Sequence, residues 1–170
     1  NFKKKLTNDF IDFIVVSPGI NIRHCYLKNF LARNKTKIIT DLDIFYNFNK
    51  NSQIISVTGT NGKSTTCKLL EEVFKKAGHK THLVGNIGEP ILSLKKLNKK
   101  AVIIVEVSSY QLEYTQHFRS NHAAILNISS DHMERHKTMT NYINAKIKIL
   151  KFQSSKDHSY LNLNNKFTKK

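Results

Sequence analysis

The sequence holds no apolar run long enough to span a membrane, and its first residues lack the layout of a secretory signal. Cysteine is scarce. Cys25 and Cys67 stand far apart without metal-ligand spacing, which points to a reducing compartment and to nothing more. Acidic residues number 12 against 28 lysines and arginines, a formal net charge of +16. Such a charge normally raises nucleic acid as a partner. Yet arginine, the better reader of bases, occurs only at Arg23, Arg33, Arg119 and Arg135. Lysines stand together at Lys3-Lys4-Lys5, Lys75-Lys76, Lys95-Lys96, Lys99-Lys100 and Lys169-Lys170, while the remaining charge is dispersed, so compositional bias is the expected source and nucleic acid is not an expected partner. An initiator methionine is also missing: the chain opens on Asn1-Phe2-Lys3 and stops on Lys169-Lys170, and a fragment of a longer polypeptide is expected.

What is present fits a globular protein. The 170 residues suit one domain, or one and a fragment, with 39% hydrophobic and 24% charged residues. Phe10 to Val16 reads as a strand closed by Ser17-Pro18-Gly19. Tyr26, Leu27, Phe30 and Leu31 recur at helical spacing between His24 and Arg33. Lys37 to Thr40 is a short strand, and Asp41 is the expected cap of a helix carrying Leu42, Phe45 and Phe48. A polar loop, Asn47 to Ser52, precedes a strand over 54–57. A helix then runs to about Ala77 and stops at Gly78. Strands follow at Thr81–Val84, Ala101–Val107, Ala123–Ile128 and Ser159–Leu163, with a helix from Thr140 to Phe152. Alternating strands and helices predict an α/β fold with a doubly wound parallel sheet and ligands at the strand carboxyl ends. No internal repeat appears.

The chain is organised around Ile54-Ile55-Ser56-Val57-Thr58-Gly59-Thr60-Asn61-Gly62-Lys63-Ser64-Thr65-Thr66. An apolar strand enters a loop with two glycines and leaves as a helix. Small residues let backbone N–H groups crowd a phosphate, and the helix N-terminus adds partial positive charge. Lys63 reaches terminal phosphates in such a loop, and the Ser64 hydroxyl is placed for Mg²⁺. The general phosphate-loop pattern wants four residues between the first glycine and Gly-Lys, but Gly59 and Gly62 enclose only Thr60 and Asn61. This is a shortened phosphate loop.

Three further residues sit where chemistry is expected. Glu106 closes the apolar run 101–105, either as a Mg²⁺ partner at a strand end or as an ordinary surface glutamate. His132 lies in the loop Ser129-Ser130-Asp131-His132-Met133-Glu134, either solvated or turned to a ligand with Asp131 and Glu134. Lys146 falls on the apolar stripe of Ile143, Ile147 and Leu150, either snorkelling outward or held neutral by burial, while Lys148 points elsewhere.

Together these words resemble the Mur ligase family of peptidoglycan amino-acid ligases. The words are Val15-Val16-Ser17-Pro18-Gly19-Ile20, Asp41-Leu42-Asp43-Ile44-Phe45, the phosphate loop, Gly85-Asn86-Ile87-Gly88, Glu106-Val107-Ser108-Ser109-Tyr110-Gln111-Leu112-Glu113, Leu126-Asn127, Asp131-His132-Met133-Glu134-Arg135 and Ala145-Lys146. Gly-Asn-Ile-Gly and Ser-Ser-Tyr-Gln-Leu-Glu resemble the D-glutamate-adding branch. The shortened loop alone is similar to the wider superfamily, which includes folylpolyglutamate synthases. The resemblance implies a cytoplasmic, monomeric ligase of cell-wall synthesis without membrane insertion. It would use ATP to join D-glutamate to UDP-N-acetylmuramoyl-L-alanine through an acyl phosphate.

By the same resemblance Gly59, Thr60, Asn61, Gly62, Lys63, Ser64 and Thr65 hold the ATP phosphates, and Ser64 and Glu106 take a first Mg²⁺. His132 takes a second, helped by a carbamate on Lys146, while Ser17 and Asn86 meet the UDP-sugar. Lys63, Glu106, His132 and Lys146 form the catalytic set. Residues 1–37 are expected to be the tail of a Rossmann-like UDP-substrate domain, and residues 38–170 the first part of the central ATPase domain. The C-terminal amino-acid domain is expected to be absent, leaving the fragment inactive alone and its sheet short of strands. Two other readings remain: a folylpolyglutamate synthase-like ligase, and a non-enzymatic basic nucleotide-binding fragment with steeply salt-dependent DNA affinity.

Overall fold

The computed structural model describes residues 11–94 and 101–168. Phe10 of the first expected strand lies outside the described residues, as do all the lysine clusters except Lys75-Lys76. Strand β1 spans Ile14–Val15 and pairs in parallel with β2, Ile38–Ile39. Between them, helix α1 covers only Lys28–Arg33. The expected start at His24 gives way to successive turns, in which His24 N–H donates to the Asn21 carbonyl and Lys28 N–H to that of Cys25.

Helix α2 spans Asp41–Asn49, taking up the first three residues of the expected Asn47–Ser52 loop, and its cap is Thr40 rather than Asp41. Thr40 and Asp43 form a capping box, with the Thr40 N–H and hydroxyl both donating to Asp43 Oδ2 at 2.9 and 3.1 Å. Leu42 and Phe45 are buried as expected, but Phe48 is 66% exposed; the buried position one turn after Phe45 is Asn49, which returns its amide to the Phe45 carbonyl.

Among the described residues the main sheet has five parallel strands in the order β4-β5-β3-β6-β7. These are β3 (Gln53–Thr58), β4 (Thr81–Gly85), β5 (Val102–Glu106), β6 (His122–Ile125) and β7 (His158–Leu161). Helix α3, Lys63–Lys76, begins at Gly62 and ends before Gly78, both left-handed with φ of 82°. Alternate residues of β3 and β5 face opposite layers. Ile54, Ile103 and Val105 pack with Leu112, Phe118 and Ile149, whereas Ile55, Val57, Val102 and Ile104 pack with Cys67 of α3. Both faces of β5 are covered, as its unbroken apolar run predicts. A smaller core packs Val16, Leu31 and Ile38 of the N-terminal segment against Tyr114, which lies beyond β5 in the chain.

Three short helices complete the described chain: α4 (Ser109–Glu113), α5 (Met133–His136) and α6 (Met139–Ile147), the last continued by a 3₁₀ turn to Leu150. Helix α6 buries Tyr142, Ala145 and Lys146, with Ile149 beyond it, while Ile147 is 43% exposed. Its buried face is therefore rotated by one residue from the expected Ile143–Ile147–Leu150 stripe. Ile143 and Leu150 pack at its margin. Strand β6 ends three residues before the expected Ile128. Every residue of β7, the sheet's edge, is exposed.

Candidate active site

The strand order reverses around β3, and ligands of open parallel sheets settle in the crevice at that point. The loop after β3 occupies it, fastened from the side by the segment after β6. Thr60 N–H donates to the Asn127 carbonyl at 3.0 Å and Asn61 N–H to Asn127 Oδ1 at 2.9 Å. Asn127 Nδ2 returns a bond to the Asn61 carbonyl at 3.0 Å, and Ser129 N–H donates to Thr60 Oγ1. Gly59 permits this approach, since a Cβ there would come within 3.2 Å of Leu126 Cβ.

Two amines meet on one oxygen of that loop. Lys63 Nζ donates to the carbonyls of Gly59 and Thr60, each at 2.9 Å. Lys146 Nζ donates to the same Gly59 carbonyl at 2.8 Å and lies 4.7 Å from the centre of the Tyr142 ring. Lys146 is 2% exposed. Burial, reinforced by the charge of Lys63 and opposed by Asp131, brings its pKa down to about 7. Of the two readings open from the sequence, the inward one holds. Tyr142 fixes the arrangement, with its hydroxyl 3.1 Å from Thr60 Oγ1.

Glu106 is 1% exposed, so it is no surface glutamate. Its Oε1 accepts a 2.8 Å bond from Asn86 Nδ2, while Oε2 is buried without a hydrogen-bond partner. An orphaned carboxylate oxygen suits a hard cation. His132 sits in left-handed backbone (φ 54°), its ring 4.9 Å from that of Tyr110 and 6.2 Å from that of Tyr142. Its nitrogens lie 3.5 Å from Asp131 Oδ2 and 3.7 Å from Glu134 Oε1. Among the described residues no three His, Cys, Asp or Glu side chains gather closely enough to hold a metal by themselves.

A cavity of about 430 Å³ brings together Gly59, Lys63, Asn86, His132 and Lys146, with Pro18 and Tyr110 on its walls. Ser64 and Glu106 do not line it. Nor do Thr60, Asn61, Gly62 and Thr65, nor Ser17, which is exposed beside Pro18. Sequence reasoning missed Tyr142, and gave no role to Asn127 and Arg135, which it met only as parts of matching words. The available signal for Tyr142 was its position one helical turn before Lys146.

The sequence profile of the Mur ligase middle domain matches residues 57–170. The chain belongs to the Mur ligase family. A protein of Alkaliphilus oremlandii named UDP-N-acetylmuramoylalanine--D-glutamate ligase is 44% identical over 154 residues, covering 89% of this chain and 33% of the relative. The ligase of the same name from Clostridioides difficile is 38% identical over 95% of this chain and 36% of its own length. The chain thus spans about a third of the length of these Mur ligases. In fold it is similar to the UDP-N-acetylmuramate:L-alanyl-gamma-D-glutamyl-meso-diaminopimelate ligase of Neisseria meningitides. That likeness has a TM-score of 0.64 at 15% identity, over 93% of this chain and 54% of that one. Among the described residues no helix is long and apolar enough to cross a membrane.

Proposed function

We propose that this chain is the phosphate-handling part of a ligase that uses ATP to add D-glutamate to UDP-N-acetylmuramoyl-L-alanine. The observation that carries the reading is the convergence of Lys63 and Lys146 on the Gly59 carbonyl at the wall of one cavity. The names of the 44% and 38% identical relatives support the choice of amino acid. Residues 1–37 would belong to the UDP-substrate domain and residues 38–170 to the ATP-binding domain.

In this reading Gly59 to Thr65 hold the ATP phosphates through backbone N–H groups and the start of α3. Lys63 leaves its two carbonyls to meet the triphosphate and offsets the repulsion between that anion and the incoming alanyl carboxylate. The carboxylate oxygen takes the γ-phosphoryl group, giving an acyl phosphate and ADP. The amine of D-glutamate then attacks the acyl carbon, and phosphate leaves. The fold family implies Mg²⁺, and the partnerless Glu106 Oε2 fits one. Ser64 and Glu106 would hold the first ion. His132 and Lys146 would hold the second, the lysine as a carbamate made from its neutral amine. Such ions supply charge neutralisation around the transferred phosphoryl group. Ser17 and Asn86 would meet the UDP-sugar.

The complete gene product, given Mg²⁺-ATP and UDP-N-acetylmuramoyl-L-alanine, is expected to release phosphate with D-glutamate. Release with L-lysine or L-alanine but not with D-glutamate would refute the assignment.

A further inference from the structure

Arg135 stands three residues after His132, in α5, and is 8% exposed. A guanidinium is rarely buried so deeply unless its donors are used. Here Nε donates to Glu113 Oε2 at 2.8 Å. The terminal nitrogens face three successive carbonyls: Ile20 at 2.8 Å, and Gly19 and Pro18 at 3.4 Å each. The rings of Tyr110 and Tyr114 flank the group at 5.2 and 5.7 Å. This is a planar donor array read by a turn of backbone, which a lysine ammonium cannot reproduce.

We propose that Arg135 is a positioning residue that fixes the Ser17–Ile20 turn against the phosphate-loop cavity and so governs uptake of the anionic sugar-nucleotide acceptor. The identity of that acceptor rests on the proposed function; the fixing of the turn does not. Ile20 N–H donates to the Ser17 carbonyl at 3.0 Å, which closes the turn. Its carbonyls point inward to Arg135, and its other side is open, since a Cβ on Gly19 would meet nothing within 4 Å. Pro18, inside the turn, forms part of the cavity wall, and Tyr110, beneath the guanidinium, forms another part. One side chain therefore holds both walls at a set separation. Ser17, at the start of the turn, is exposed, and a serine hydroxyl is a donor suited to an anionic oxygen.

The test is Arg135→Lys in the complete gene product. The KM for UDP-N-acetylmuramoyl-L-alanine is expected to rise about tenfold, the equivalent of one lost charge-assisted hydrogen bond. The KM for ATP should stay within about twofold, because the phosphate loop is fastened by Asn127 instead. Amide exchange at residues 19–22 should accelerate while exchange in β3 does not change. An equal rise in both KM values, or unchanged exchange at 19–22, overturns the proposal. If no UDP-sugar is turned over but exchange at 19–22 accelerates, the acceptor assignment falls and the fixing of the turn stands. Should Arg135→Lys fail to fold, the paired change Arg135→Gln with Glu113→Gln leaves no unpaired carboxylate and carries the same readouts.

Discussion

Lys146 gives the sharpest test of the site's electrostatics. Its amine loses a proton at about 7 in the folded chain, against an ordinary value of 10.5. Between those two pH values the unfolded chain binds one proton more than the folded one, so stability rises with pH across that window. Each pH step of one inside it adds at most about 1.4 kcal/mol. Below about 7 the lysine is charged in both states, and the full cost of burying the ammonium near Lys63 is present. Replacing Lys146 by methionine keeps the stem and removes the titration. Urea unfolding in buffers freed of carbon dioxide, from pH 6 to pH 10, should show the variant's stability rising less steeply between pH 7 and pH 10 by about one proton's worth. The variant should also be the more stable protein near pH 6. Parallel pH profiles for the two proteins would refute a neutral Lys146, and with it the chemical basis for a carbamate there. Addition of labelled bicarbonate should give a carbamate resonance in the parent chain and none in Lys146→Met.

Other perturbations separate the scaffold from the site. Asp43 is fully buried, and its Oδ1 accepts from the Thr115 hydroxyl and the N–H groups of Gln116, His117 and Phe118 at 2.6 to 3.1 Å. Asp43→Ala strands these donors and should cost at least ~3 kcal/mol in urea unfolding; a smaller loss would mean that water takes its place. Glu106→Gln should change stability little, yet lower the Mg²⁺-dependent part of nucleotide affinity by about tenfold or more in titration calorimetry; unchanged Mg²⁺ dependence would remove Glu106 from the ion's shell. Gly85 has φ of 106°, and a Cβ on it would lie 2.3 Å from the Glu106 carbonyl oxygen. Gly85→Ala should therefore cost at least ~2 kcal/mol and loosen Asn86 from Glu106, visible as a lower Tm and faster exchange of the Asn86 amide. A Tm equal to the parent's would count against that crowding.

The parts of this fold that sequence reveals are those set by neighbours along the chain. The run from Ala101 to Val105 announces a strand buried on both faces, because nothing polar interrupts it. The glycines at 59 and 62 announce a loop, because backbone must crowd there. Contacts between distant segments carry no such mark. Asp43 looks like one acid in a helix's first turn, yet it caps residues 115–118 more than seventy positions later. The face of α6 shows the same limit. Ile143, Ile147 and Leu150 make a plausible apolar stripe, but the partners of Tyr142 and Lys146 at Thr60 and Gly59 set the rotation. The left-handed His132 and the burial of Arg135 likewise depend on what surrounds them.

Because two amines share the Gly59 carbonyl, the empty pocket and the filled pocket are chemically different places. A polyanion that draws Lys63 off that oxygen removes a neighbouring positive charge from Lys146 and adds negative charge nearby. Both changes favour the protonated amine. Thermodynamic reciprocity then requires that whatever keeps Lys146 uncharged weakens the hold on that polyanion by the same factor. On the proposed reading this geometry carries an order of events: attack of the Lys146 amine on an electrophile is easiest before the triphosphate arrives, and loading the pocket closes that opportunity.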